Sequence, residues 1–200
     1  MSSNKLQTCS SGGGPVIGIP TELAGKWRGT LAPIGAVVPP GWSWGTAGGP
    51  ECDYDRACNK IEHHVSMSYG GFGSVPLDGG IALVFEGSLN TNWAPTAEGG
   101  VVVRNLEDEQ RFGDGAVAGV LELVAAVPAA NWTPWPGTIT LEDGRICFWD
   151  SAMEGADDPS KIPTNGTGLA IGSPGPGTYE IATAVDDEEH EFIKLTRVRA

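Results

Sequence analysis

Positive charge is scarce in this chain. Its 200 residues carry 12 Lys and Arg against 25 Asp and Glu, a formal net charge of −13. Direct binding to duplex DNA or RNA is excluded on that balance, because neutralising phosphates needs clustered Lys and Arg. Anionic membrane surfaces are disfavoured for the same reason. Long hydrophobic runs are also missing. No stretch could cross a bilayer as a helix, and residues 1–10 have no apolar signal core. Without that core, Cys9 after Leu-Gln-Thr is a poor lipid-attachment site. These absences predict a cytoplasmic protein, in which Cys9, Cys52, Cys58 and Cys147 are reduced thiols. A fixed repeat is absent too. Residues 13–29, 78–106 and 142–159 share a strand-and-corner pattern, but uneven gaps between them exclude a solenoid.

What the chain does have is 30 Gly, 15 Pro and 7 Trp with 40% hydrophobic residues, a composition that suits many short strands joined by tight turns. The expected fold is α+β and mainly β, with antiparallel sheets, one helix near 114–127 and short helical turns near 21–27 and 53–60. Residues 1–12 read as a flexible lead, and 13–200 as a single β-rich domain.

The stretch 78–106 organises the reading. Apolar runs at 81–85 and 100–103, each opened by Gly, predict two strands of a mid-chain ribbon, with Trp93 and Pro95 in the connection. Residues 16–19 are a strand, and Thr21 is placed to cap the helical turn that follows. Residues 31–50 read as a long irregular loop with an apolar piece at 34–38. Asp53 is placed to cap a turn over 53–60. Residues 61–69 alternate, with Ile61, His63, Val65, Met67 and Tyr69 on one face. In 114–127, Val117, Val120, Leu121, Val124 and Val127 follow helical spacing, with Asp114 as cap and Pro128 as stop; Gly119 and four Val keep a strand as the rival. Residues 132–136 make an aromatic corner. Residues 138–141 and 145–149 predict a hairpin about Glu142-Asp143-Gly144. Strands at 169–171, 178–185 and 191–198 close the chain, with turns at 174–177 and 186–190.

Few motifs survive scrutiny. Gly41-Trp42-Ser43-Trp44-Gly45 fits G-x-S-x-G, but Pro39-Pro40 precede it and no helix can follow, so the strand-turn-helix of a nucleophile elbow is missing. Asp53-Tyr54-Asp55 opens like a calcium loop and then fails at Ala57, Cys58 and His64. Cys52, Cys58, His63 and His64 lack the thiolate spacing of a zinc knuckle, and His63 reads as a core residue. Gly12-Gly13-Gly14 precedes a strand where a phosphate loop would follow one. No metal, cofactor or catalytic set is assigned. The acidic runs Glu107-Asp108-Glu109, Asp157-Asp158 and Asp186 to Glu191 are solvated turns or face a basic partner.

Several pieces in order resemble one family. They are Gly13-Gly14-Pro15 with its strand, then Pro20-Thr21-Glu22-Leu23 and Trp27-Arg28-Gly29; Asp53-Tyr54-Asp55-Arg56-Ala57-Cys58; Leu83-Val84 leading to Thr91-Asn92-Trp93 and Pro95; Phe148-Trp149-Asp150-Ser151-Ala152; and Pro176-Gly177-Thr178-Tyr179-Glu180. Over roughly 12–198 the chain is similar to the immunity protein 21 family of bacterial polymorphic toxin systems, with 31–50 as an insertion. The resemblance implies a non-enzymatic antitoxin that blocks a cognate toxin domain. On charge, that toxin would be basic, for example a nuclease. The residues expected to meet it are Trp42, Trp44, Trp132 and Trp135 as aromatic anchors, with Asp53, Asp55, Glu107, Asp108, Glu109, Asp186, Asp187, Glu188 and Glu189 steering. The alternative from another class is a sugar or small-molecule module lined by the same four Trp; a hydrolase built on Ser43 is a third.

Overall fold

Strands form where side chains can be buried on both sides of them, and here nearly every apolar run finds that environment. The computed structural model describes residues 6–106 and 116–199. Its strands are β1 (Gln7–Cys9), β2 (Val16–Pro20), β3 (Glu62–Ser66), β4 (Gly71–Leu77), β5 (Gly80–Phe85), β6 (Thr91–Thr96), β7 (Gly99–Arg104), β8 (Thr133–Leu141), β9 (Ile146–Asp150), β10 (Ala170–Gly172), β11 (Gly177–Val185) and β12 (Glu191–Arg197). Helices α1 (Asp53–Asn59) and α2 (Ala116–Ala126) accompany them, with 3-10 turns at Thr21–Lys26, Ala129–Asn131 and Pro159–Lys161. The fold is mainly β. Two antiparallel six-stranded sheets run β1-β6-β7-β12-β11-β8 and β10-β9-β2-β5-β4-β3. No described helix is long and apolar enough to cross a membrane.

The pleat sorts each strand into layers. Val102, Ile193 and Leu195 of one sheet meet Val16, Leu83, Phe85 and Phe148 of the other in the central core. Val101, Val103 and Phe192 turn outward, where Val120 of α2 covers them. On the opposite outer face, Ile17, Ile19, Val84, Cys147 and Trp149 are covered by Ala24, Trp27 and Ala57, from the first 3-10 turn, the residue after it and α1. The two open sides of the sandwich are closed by side chains that reach edge backbone. The Trp135 Nε1–H donates to the His63 carbonyl (2.9 Å), linking β8 to β3. The Ile171 N–H donates to Gln7 Oε1 (2.8 Å), linking β10 to β1.

Several expectations change. Residues 81–85 and 100–103 are strands, but β5 and β7 lie in different sheets. The hairpin partner of β7 is β6, which contains Trp93 and Pro95. Pro95 lies past the part of β6 that pairs with β1, which stops at 91–93, so on that side no strand asks for its missing N–H, while Gly100 of β7 lies opposite on the other. The segments around Glu142-Asp143-Gly144 are not a hairpin. β8 and β9 belong to opposite sheets, and Leu141 and Ile146 both enter the central core, so the turn is a corner between layers. β4 was not foreseen; Gly71, Gly73 and Pro76 hide its pattern. Residues 61–69 do not alternate cleanly. A register shift between Glu62 and Val65 leaves His63 at φ 53, exposed on an edge strand instead of in the core. The lead predicted to be flexible contains β1, held at the sheet edge with Cys9 buried. Thr21 caps nothing; its hydroxyl donates to Asp143 Oδ2 (2.5 Å). The corner at 132–136 is largely strand β8. The helix is present as Ala116–Ala126, while Asp114 and the acidic turn at 107–109 lie outside the described residues.

One end of the sandwich is pinned by a charge pair. Arg104 Nη1 meets Glu191 Oε2 at 2.8 Å, and neither side chain reaches solvent. Arg104 Nη2 also donates to the carbonyls of Glu86 (2.6 Å) and Gly87 (3.3 Å), and Glu191 Oε1 accepts the Tyr69 N–H (2.8 Å). The pair therefore ties β7 and β12 to the ends of β3 and β5 in the other sheet. Burial lowers the Arg104 pKa, and Glu191 opposes that shift. Removing one partner strands a buried charge. Glu191→Ala should lower the unfolding free energy by about 3–5 kcal/mol, read from urea denaturation, whereas Arg104→Met with Glu191→Leu should recover most of it.

Candidate partner-binding surface

α1 carries the surface. Its N-cap is Cys52, not Asp53: Asp55 N–H donates to Cys52 Sγ (3.4 Å) and Cys52 N–H to Asp55 Oδ2 (3.3 Å), a reciprocal capping box. Asp53 instead accepts the Arg28 N–H (2.8 Å) and an Arg56 Nη1–H (2.8 Å). The helix buries Ala57 beside Trp27, whose Nε1–H donates to the Ser151 carbonyl (2.9 Å).

Before α1 runs a segment with no charged side chain from Gly29 to Pro50. It has no helix or strand, but its backbone is ordered by turns. The N–H groups of Ala36, Trp42, Thr46 and Gly49 donate to the carbonyls of Pro33, Pro39, Ser43 and Thr46. The third residue of each turn is glycine: Gly35 at φ 77, Gly41 at 76, Gly45 and Gly48 at 74. Type II turns need that left-handed residue. A Cβ at any of the four would meet nothing within 4 Å, so conformation and not space selects glycine there.

Three contacts fasten these turns down. The Trp44 ring stands edge-on to Tyr54 of α1, with centroids 5.2 Å apart. The Gly45 N–H donates to Asp55 Oδ1 (2.9 Å), and the Trp42 Nε1–H to the Pro50 carbonyl (3.2 Å). Yet the segment faces outward. Five of the seven large apolar residues exposed among the described residues are Leu31, Ile34, Val37, Val38 and Trp44, with Ile34 87% and Val37 91% exposed. Exposed apolar side chains grouped on a turn-braced backbone make this segment the candidate contact surface.

The other sequence candidates are not gathered here. Trp42 and Trp44 do sit beside Asp53 and Asp55, but both carboxylates are committed to capping and to Arg28 and Arg56. Trp135 is buried against Phe72. Trp132 belongs to the cover over the opposite outer face, with Lys194 Nζ 4.1 Å from its ring centre. The four Trp thus do not line one pocket. Asp186 accepts the His190 N–H (2.9 Å) and meets His190 Nδ1 (2.8 Å), shaping the β11–β12 turn. Glu189 accepts from the Tyr69 hydroxyl, and Asp187 and Glu188 face solvent. Glu107, Asp108 and Glu109 lie outside the described residues. The Ser43 hydroxyl donates to the Trp44 carbonyl (3.4 Å), while His64 meets Glu86, His190 meets Asp186 and His63 packs on Trp135. No three His, Cys, Asp or Glu among the described residues are grouped to hold a metal ion. Sequence reasoning missed Leu31, Ile34, Val37 and Val38 as surface residues. The uncharged span and its regularly placed glycines were the available signal.

Comparisons with protein families, with curated proteins and with solved structures find no match to this chain.

The thiols give a chemical check on the surface. Burial pushes Cys9 and Cys147 up to about 12 and Cys52 to about 11. Cys58 alone is exposed, and partial desolvation raises it above 9.0. Its reactive thiolate therefore forms later than that of a free thiol. Iodoacetamide should modify only Cys58 in the native protein, at a rate still climbing as pH passes 9.0. Mass spectrometry after timed quenching reads both the site and the slope.

Proposed function

We propose that this chain is a neutralising binding protein, an immunity protein of a bacterial polymorphic toxin system, acting in the cytoplasm on a basic toxin domain. The observation that carries the reading is the ordered, uncharged, outward-facing segment of residues 29–50. It presents Ile34, Val37, Val38 and Trp44 to a partner without first having to become ordered. The resemblance of the Asp53-Tyr54-Asp55-Arg56-Ala57-Cys58 piece supports it, since that piece forms the helix on which Trp44 and Gly45 rest. The net charge of −13 supplies the long-range half of the mechanism. A positively charged toxin is drawn in quickly, and burial of the apolar segment in its cleft then slows release. Inhibition on this reading is occlusion: the segment fills the space that the toxin's substrate would take.

The test is calorimetric titration against the toxin domain encoded beside this gene. Ile34→Asp and Trp44→Ala should each weaken binding by about 2 kcal/mol, roughly 30-fold, with the fold unchanged by circular dichroism. Raising salt should slow association and leave dissociation nearly constant. Tight binding by both variants would remove this surface from the mechanism. A second expectation concerns order in place of contact. Gly41→Ala forces a side chain into a left-handed turn residue at about 1–2 kcal/mol, so it should weaken binding without removing any exposed apolar group.

A further inference from the structure

We infer that the groove between this segment and the β4–β5 turn is a binding site for a small aliphatic carboxylate. The groove measures about 690 Å³, within the range of small-molecule sites. One wall is apolar, built by Leu31, Pro33, Ile34, Pro76 and Leu77. The other carries Lys26, Arg28 and Arg56, three of the 12 basic residues in a strongly acidic protein.

Their existing partners decide which cation is free for a ligand. Arg56 is held by Asp53 and by the Pro76 carbonyl. Lys26 Nζ donates to the Asp78 carbonyl (2.7 Å) and meets Asp78 Oδ2 at 3.2 Å; the Asp78 side chain is 95% exposed, so the carboxylate contact is screened and exchangeable while the backbone bond stays. Arg28 pairs with Glu154 through Nη1, yet its Nε is buried with no hydrogen-bond partner among the described residues. A carboxylate oxygen is the group that pairs best with an ammonium or guanidinium N–H. A carboxylate head beside Lys26 would replace the Asp78 Oδ2 contact, with the Arg28 guanidinium on the same lining adding its charge. Its aliphatic tail would lie on Leu31, Ile34 and Leu77. Asp53 and Asp78 on the same lining repel a second anionic group, which restricts the ligand to one charge.

This site is independent of the partner reading, although it shares Leu31 and Ile34 with that surface. The test titrates the full-length protein with octanoate, followed by amide and methyl chemical shifts and by calorimetry. Saturable binding with shifts confined to residues 25–34, 53–56 and 76–78 supports the inference. Octylammonium, with the same tail and opposite charge, should bind at least about tenfold more weakly. Lys26→Glu and Ile34→Ser, both at solvent-reached positions, should each weaken octanoate by about fivefold to tenfold. Three results overturn the inference: no saturation at about 10 mM octanoate, equal affinity for octylammonium, or shifts centred elsewhere. Much tighter binding of a leucine-terminated peptide with a free carboxylate also overturns it, assigning the groove to a polypeptide C-terminus. A toxin that binds while octanoate does not would overturn the groove and leave the partner surface standing.

Discussion

Val101 and Val103 leave β7 on one side and Val102 on the other, and all three are shut off from water. The same holds for Ile17 against Val16, and for Val84 against Leu83 and Phe85. A sandwich of this kind cannot leave its outer faces bare, because each would expose a continuous apolar sheet surface. The connections must therefore supply covers. α2 is one. The first 3-10 turn, Trp27 and α1 are the other. Where the covers sit then decides where the remaining surface can lie.

That constraint explains why the candidate surface is a set of turns and not a cleft in the sheets. α1 packs on the second sheet through Ala57, while its Tyr54 and Asp55 brace Trp44 and Gly45 of the turn segment. The segment that crosses to α1 has to be long, and it has been given stiffness by repeated turns instead of by regular structure. Its apolar groups are held away from the protein that made them. Such an arrangement lowers the entropy lost on association, which is where much of the affinity of a loop-based binder comes from.

How much of this could be read from the sequence depended on whether a pattern carried direction. α2 was legible because the spacing of Val117, Val120, Leu121 and Val124 names one face and Pro128 names its end. β5 and β7 were legible as strands but not as members of different sheets. A strand buried on both sides has no polar alternation to say which neighbour it faces. β4 and β6 were hidden by Gly, Pro and polar residues that are admissible only because of what lies beside them. In β4, a Cβ on Gly73 would come within 2.6 Å of the Glu62 carbonyl across the pair. At the surface, Trp44 was legible as an outlying aromatic, whereas Ile34 and Val37 were not, since apolar side chains are normally assigned to the interior. Asp53 and Asp55 misled because acids at the start of a helix look available, and a cysteine is an uncommon cap.

The order of the first sheet also has a temporal side. β12 is inserted between β7 and β11, although it is formed from residues 191–197, after both of them. While a ribosome is still delivering those residues, β7 and β11 each present an unpaired edge, and neither half of that sheet can close. The first sheet is thus completed only after residues 191–197 have been delivered. During that interval the nascent chain depends on its negative charge to stay apart from its neighbours.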